Sequence, residues 1–161
     1  MTRRRWWSGG MVGILMIAGA LGGCGGGGDD DGQRASGGCF LIGEREPNDT
    51  FLTAQFLGDV FVNDCFIVDG SIFDPADVDS YRVLIQESLS LVVTLDHSRQ
   101  VDFDVQLLDA DRGQLIRDCG INVAPEVCVV RFDVGSGDIA VDVVVTSFIG
   151  AGTYTLTLDV Q

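Results

Sequence analysis

From Cys39 to the end of the chain, apolar and polar residues alternate with period two, and turn residues interrupt the alternation every few positions. The clearest run is Gly152 to Val160. There Tyr154, Leu156, Leu158 and Val160 fall on one side, and Thr153, Thr155, Thr157 and Asp159 on the other. An extended chain points successive side chains to opposite faces, so such a run has one buried and one wet face. Seven more segments read the same way: Cys65 to Phe73, Val78 to Gln86, Leu89 to Leu95, Phe103 to Leu108, Gln114 to Arg117, Val127 to Val134 and Asp138 to Ser147. Asp69-Gly70 reads as a break or bulge in the first of these. Asp49 to Phe56 is the only helical candidate, as a single turn after an Asn or Asp cap. Seven to nine short strands without real helices predict an all-β fold, a single antiparallel β-sandwich over residues 39–161.

The first 38 residues have a different composition. Arg3-Arg4-Arg5 precedes an apolar run from Met11 to Leu21, too short to span a bilayer and the right length for a signal-peptide core. The run ends in Leu21-Gly22-Gly23-Cys24, which resembles the lipobox of bacterial lipoproteins. That resemblance implies cleavage after residue 23 and a lipid-modified Cys24, anchored without a membrane-spanning helix. Gly25 rather than Asp follows the Cys, which favours the outer membrane as the address. Residues 24–38 are rich in Gly and Asp and read as a flexible tether.

Charge narrows the partners. The chain carries −14 at pH 7 and has no Lys. Losing the leader with its three Arg leaves seven basic against twenty-four acidic residues, or −17. Such a surface repels nucleic acid and anionic lipid, and suits cations or a neutral ligand met by shape. The membrane is therefore met through the lipid anchor alone, and a monomer is expected.

The segment Gly43-Glu44-Arg45-Glu46-Pro47-Asn48-Asp49-Thr50 gathers oxygen donors around one Pro. Pro47 stops a strand and holds Glu46 extended, while Asn48 and Asp49 turn or cap the chain. Extended, Glu44 and Glu46 share a side, as do Asp77 and Asp79 further on. Without a cation these carboxylates would repel one another, and calcium takes six to eight such oxygens. The competing reading is a polar turn at Asp77 and Asp79 and a helix cap at Asn48-Asp49. Asp102 and Asp104 form another same-face pair and read as a solvated strand start.

Cys39, Cys65, Cys119 and Cys128 remain after Cys24. An even number in an exported chain implies two disulfides among three connectivities. Cys119 and Cys128 flank a loop with Pro125, which favours that local bridge and leaves Cys39 with Cys65. Zinc held by these cysteines is the rival. Their spacings are wide, no Cys-x-x-Cys occurs, and His97 is the single His, placed in what reads as a loop. No catalytic constellation stands out, and the chain reads as a non-enzyme.

With these residues in view, the region from about Glu44 to Val160 resembles a bacterial pre-peptidase C-terminal (PPC) domain. The resemblance rests on Glu44-x-Glu46-Pro47-Asn48-Asp49-Thr50 with Ala54, Gly70-Ser71-Ile72, Asp77-Val78-Asp79-Ser80-Tyr81, the strand Leu89 to Leu95, Asp102 to Leu107, and Gly152-Thr153-Tyr154-Thr155-Leu156. It implies a jelly-roll-like sandwich similar to the calcium- and collagen-binding domain of clostridial collagenases. It also implies Glu44, Glu46, Asn48, Asp49, Asp77 and Asp79 as calcium ligands. Collagen binding in that relative leans on surface Tyr, and this chain has only Tyr81 and Tyr154. The expectation is a calcium-stabilised envelope module for a protein or polysaccharide. The alternatives are a purely structural lipoprotein without metal and an accessory subunit of a separately encoded hydrolase.

Overall fold

The computed structural model describes residues 33–34, 38–120, 124–135 and 137–161. Cys24, the signal segment and nearly all of the tether lie outside the described residues. Among the described residues eleven strands follow in order: β1 (Gln33–Arg34), β2 (Phe40–Gly43), β3 (Gln55–Val60), β4 (Cys65–Ile72), β5 (Val78–Ile85), β6 (Leu89–His97), β7 (Asp102–Asp109), β8 (Gln114–Asp118), β9 (Glu126–Phe132), β10 (Ile139–Ile149) and β11 (Gly152–Val160). No helix occurs among the described residues. One sheet runs β1-β2-β4-β11-β6-β9 and the other β3-β5-β10-β7-β8.

The alternation of the sequence becomes the alternation of burial. In β11, Tyr154, Leu156, Leu158 and Val160 are buried. In β9, Glu126, Cys128, Val130 and Phe132 turn inward while Val127, Val129 and Arg131 face solvent. Apolar area leaving water drives this, at roughly 25 cal/mol per Å². β10 departs from this pattern, with Val141 to Val145 all buried. Its Asp142 is tolerated because Arg82 of β5 grips it with two bonds, Nε to Oδ1 at 2.6 Å and a terminal nitrogen to Oδ2 at 2.7 Å.

Several sequence expectations change. Asp49 to Phe56 forms no helix: Thr53 N–H closes a turn onto the Thr50 carbonyl at 2.9 Å, and β3 begins at Gln55. β3 hides its alternation because Gly58, at φ +136°, sits in a bulge between Phe56 and Gly58. Asp69-Gly70 makes no bulge, since β4 pairs with β11 residue by residue from Cys65 to Ile72. His97 ends strand β6 rather than lying in a loop. The sandwich is not wholly antiparallel, because β2 runs parallel to β4 and β3 parallel to β5. Those pairs arise because the chain crosses to the other sheet after β2, after β3 and again after β4.

Both disulfides are present, Cys39–Cys65 and Cys119–Cys128. The first ties the start of β2 to the start of β4. The aromatics Phe51, Phe56, Phe61 and Phe148, for which core packing is the default expectation, are 60, 58, 46 and 68% exposed.

Candidate metal centre

The segment after β2 crosses from one sheet to the other, and its oxygen donors are delivered on the way. Glu44 continues the edge of β4: its N–H bonds the Asp69 carbonyl at 3.2 Å. Its Oε2 accepts from the Ser71 N–H at 2.8 Å and the Ser71 hydroxyl at 3.2 Å. Glu46 turns back on the chain, and its Oε2 accepts the Asn48 N–H at 2.9 Å. Asn48 then docks on the other sheet, its carbonyl accepting the Ser80 N–H at 3.1 Å.

Two overlapping groups of carboxylates result. Oxygens of Glu44, Glu46 and Asp79 lie within 4.8 Å of one another, as do oxygens of Glu46, Asp49 and Asp77. Glu46 belongs to both. Asp77 falls in one group and Asp79 in the other, with Glu46 linking the two. Asn48 and Asp79 are fully buried. The Asn48 side-chain amide lies 3.1 Å from both Asp79 Oδ1 and Glu46 Oε2. Turned nitrogen-inward, as the hydrogen-bond network assigns it, the amide donates to both. Turned oxygen-inward, it would add an oxygen to a set that only a cation would hold together.

A second layer of groups holds these ligands. The Tyr154 hydroxyl donates to Asp79 Oδ2 at 2.6 Å and lies 2.6 Å from the Tyr81 hydroxyl, which donates to Glu44 Oε1 at 3.0 Å. Tyr81 belongs to β5 and Tyr154 to β11, so the pair bridges the two sheets. Both rings are buried, at 0 and 3% exposure, so the chain presents no surface Tyr. Tyr154 fits because Gly70 stands directly opposite it, and a Cβ there would overlap the Tyr ring.

Electrostatics follow from this crowding. Burial pushes the Asp79 carboxyl up to about 8, the Tyr154 hydroxyl opposes the rise, and Glu44 and Asp77 add to it. Glu46 is raised by burial first, against the Asn48 N–H, with Glu44, Asp49 and Asp77 contributing repulsion. Burial is also the main cause that raises both tyrosine hydroxyls. An all-oxygen donor set with several carboxylates in a partly dry site fits a hard cation. The hydroxyl and amide donors behind the carboxylates match the outer shell that orients metal ligands.

Sequence reasoning named the six oxygen donors but not Ser71, Tyr81 and Tyr154 as their supports. Tyr81 had a signal, lying two residues after Asp79 and so on the same face. Tyr154 had none, being 75 residues from Asp79.

Among solved structures, the chain is similar to the pre-peptidase C-terminal domain of a collagenase from Bacillus anthracis. The TM-score is 0.51 at 15% identity, over 73% of this chain and all of that one. The fold is PPC-like. Weaker likeness extends to PliG, a periplasmic inhibitor of g-type lysozyme. The Aeromonas hydrophila protein gives TM-score 0.47 at 12% identity, over 67% of this chain and 99% of that one. The Salmonella Typhimurium protein gives 0.40 at 14%, over 68% and 100%. No family model matches the chain, and no curated protein matches it by sequence. At this identity the PPC likeness concerns the fold, so the ligand set of this PPC-like domain rests on the geometry above.

Proposed function

We propose that this PPC-like chain is a non-catalytic, calcium-stabilised binding module of the cell envelope, held to the outer membrane through lipid on Cys24. The observation that carries the calcium reading is the convergence of Glu44, Glu46, Asp49, Asp77 and Asp79 on one crossing segment, with Asn48 and Asp79 fully buried among them. Calcium would draw oxygens from these six residues, neutralise their mutual repulsion and fasten the crossing segment to both sheets. The role is structural: the ion sets the ends of β4, β5 and β11 relative to one another.

The ligand is a protein or a polysaccharide. In support, a cleft of about 700 Å³ runs beside the site, with Glu44, Ser71, Asp96, Ser98 and Thr153 among its walls. Hydroxyls and carboxylates of this kind suit a polar, uncharged chain. Exposed aromatics such as Phe51 and Phe56 add apolar contact area elsewhere on the surface.

The test is a thermal melt of the purified chain in millimolar calcium and then in chelator. Calcium should raise the melting temperature, and a Glu46→Ala, Asp79→Ala double variant should lose the rise. At a hundredfold excess over Kd the gain is about 2.7 kcal/mol. Equal melting in both conditions would reduce the segment to a turn and leave a purely structural lipoprotein. The anchor is tested separately by fatty-acid labelling, which Cys24→Ser should abolish.

A further inference from the structure

The chain's single histidine lies in a second cluster that the carboxylate site does not use. One ring nitrogen of His97, one oxygen of Asp102 and one oxygen of Glu126 fall within 4.8 Å of one another. Three strands supply them: His97 closes β6, Asp102 opens β7 and Glu126 opens β9. A turn from Ser98 to Val101, closed by a 3.3 Å backbone bond, brings Asp102 back to His97. The β6–β9 ladder sets Glu126 opposite Leu95, two residues from His97.

The imidazole is oriented. Its Nδ1 lies 3.0 Å from the Ser98 carbonyl oxygen. A carbonyl only accepts, so Nδ1 carries a proton and the neutral ring offers Nε2 as a lone pair. Nε2 is buried and has no hydrogen-bond partner among the described residues. The Phe103 ring packs on the imidazole at 5.3 Å. Glu126 is fully buried, and its Oε2 accepts the Val105 N–H at 3.2 Å. A metal-binding histidine commonly donates its other N–H to a backbone carbonyl, and metal-binding carboxylates are themselves hydrogen-bonded. Both features are present before any ion is invoked. A proton on Nε2 would instead favour a direct bond to a carboxylate, and Nε2 makes none.

We propose that His97, Asp102 and Glu126 bind a divalent ion of the zinc class. One imidazole with two carboxylates is a borderline set that suits zinc, unlike the all-oxygen set at Glu44 and its neighbours. Three protein ligands leave a coordination position open. His97 and Asp102 both line a cleft of about 600 Å³, which gives ion and water a way in. The ion would staple the starts of β7 and β9 to the end of β6. The inference stands on its own residues and does not depend on the calcium reading.

The experiment titrates zinc into the full chain, carrying no added histidine tag, with excess calcium present to occupy the carboxylate site. Proton NMR follows the imidazole, and with one histidine the assignment is immediate. The expected result is one equivalent bound and the His97 ring signals shifted to a new position. Replacing zinc by cobalt should broaden and displace the same signals. His97→Ala should weaken binding by more than about a hundredfold, since a direct ligand matters at least as much as an outer-shell one. Asp102→Asn should weaken it too. It removes a half-buried ligand and spares the buried Glu126, so the fold is kept. Zinc binding that leaves the imidazole signals unmoved, or that survives His97→Ala, would overturn the proposal, as would no binding at all.

Discussion

Gly70→Ala tests how the two sheets are joined at the carboxylate site. Gly70 is an interior residue of β4, and Tyr154 of β11 stands opposite it. A methyl group at 70 would overlap Tyr154 Cζ and Oη and stand 2.8 Å from Cε2. Carbon atoms prefer about 3.5–4.0 Å, so the ring must move by roughly 1 Å. Its hydroxyl bonds to Asp79 and Tyr81 are 2.6 Å long, and a shift of that size stretches them past a useful length. Overpacking costs about 1–3 kcal/mol, and losing a hydrogen bond to a charged group about 1.5–3 kcal/mol. Against this, Ala gains about 0.5–1 kcal/mol over Gly within a strand. The net is a loss of about 1.5–5.5 kcal/mol, which at roughly 4 °C per kcal/mol lowers the melting temperature by about 6–22 °C.

The control is Gly43→Ala, in β2 beside the same site, where an added Cβ meets nothing within 4 Å. It should melt no lower than the parent. Differential scanning calorimetry of both variants in calcium gives the answer. A Gly70→Ala protein within about 2 °C of the parent would refute the seating of Tyr154 over Gly70. Tyr154→Phe supplies the second check. It removes the hydroxyl but keeps the ring, so combining it with Gly70→Ala should cost less than the sum of the two.

Asp79→Asn should abolish the calcium-induced rise in melting temperature without lowering the metal-free stability at pH 8, as calorimetry in chelator would show. The pH dependence follows from Asp79 as well. Its carboxyl titrates near 3.8 when unfolded and at about 8 when folded, so the folded state holds the proton more tightly. Metal-free stability should therefore fall as pH rises from about 4 to 8, by at most about 1.4 kcal/mol per unit, and then level off. Calcium must displace that proton, so calorimetric titration should show tighter binding as pH rises through the same window. Arg82→Met leaves the buried Asp142 unpaired and should cost about 2–4 kcal/mol in a denaturant melt, less than a fully buried pair because the Arg82 side chain is 30% exposed. Adding Asp142→Leu should restore most of it. Removing the Cys39–Cys65 bridge, whose cysteines are 26 positions apart, should cost about 3 kcal/mol in the same assay and weaken calcium binding, because it frees the start of β2.

The β-sandwich was legible because burial in β4, β6, β7, β9 and β11 follows the simplest periodic rule. Where the chain departs from that rule, reading it failed for identifiable reasons. β3 carries a bulge at Gly58, so Phe56 and Val60 do not report one face. Exposed Phe51, Phe61 and Phe148 mimic core residues, because side-chain type cannot say which way a residue at a strand end or turn will point. The parallel pairing of β2 with β4 depends on which sheet each crossing reaches, and no local residue encodes that.

The same division runs through the metal centre. Its ligands are dense in sequence: Glu44, Glu46, Asn48 and Asp49 span six residues, and Asp77 and Asp79 span three. Local density of like charge can be read without a fold, because it costs energy in nearly any compact arrangement. The groups that make those ligands usable are distributed instead. Ser71 holds Glu44 from 27 residues away and Tyr154 holds Asp79 from 75. Each is an ordinary strand residue until its partner arrives, beside it in the same sheet for Ser71 and from the opposite sheet for Tyr154. Gly70 is the sharpest case. It reads as a strand break, yet its missing side chain is the seat for the ring that positions a buried carboxylate. The absence of a Cβ has meaning only relative to what fills the space, and that is a property of the packed pair rather than of either residue.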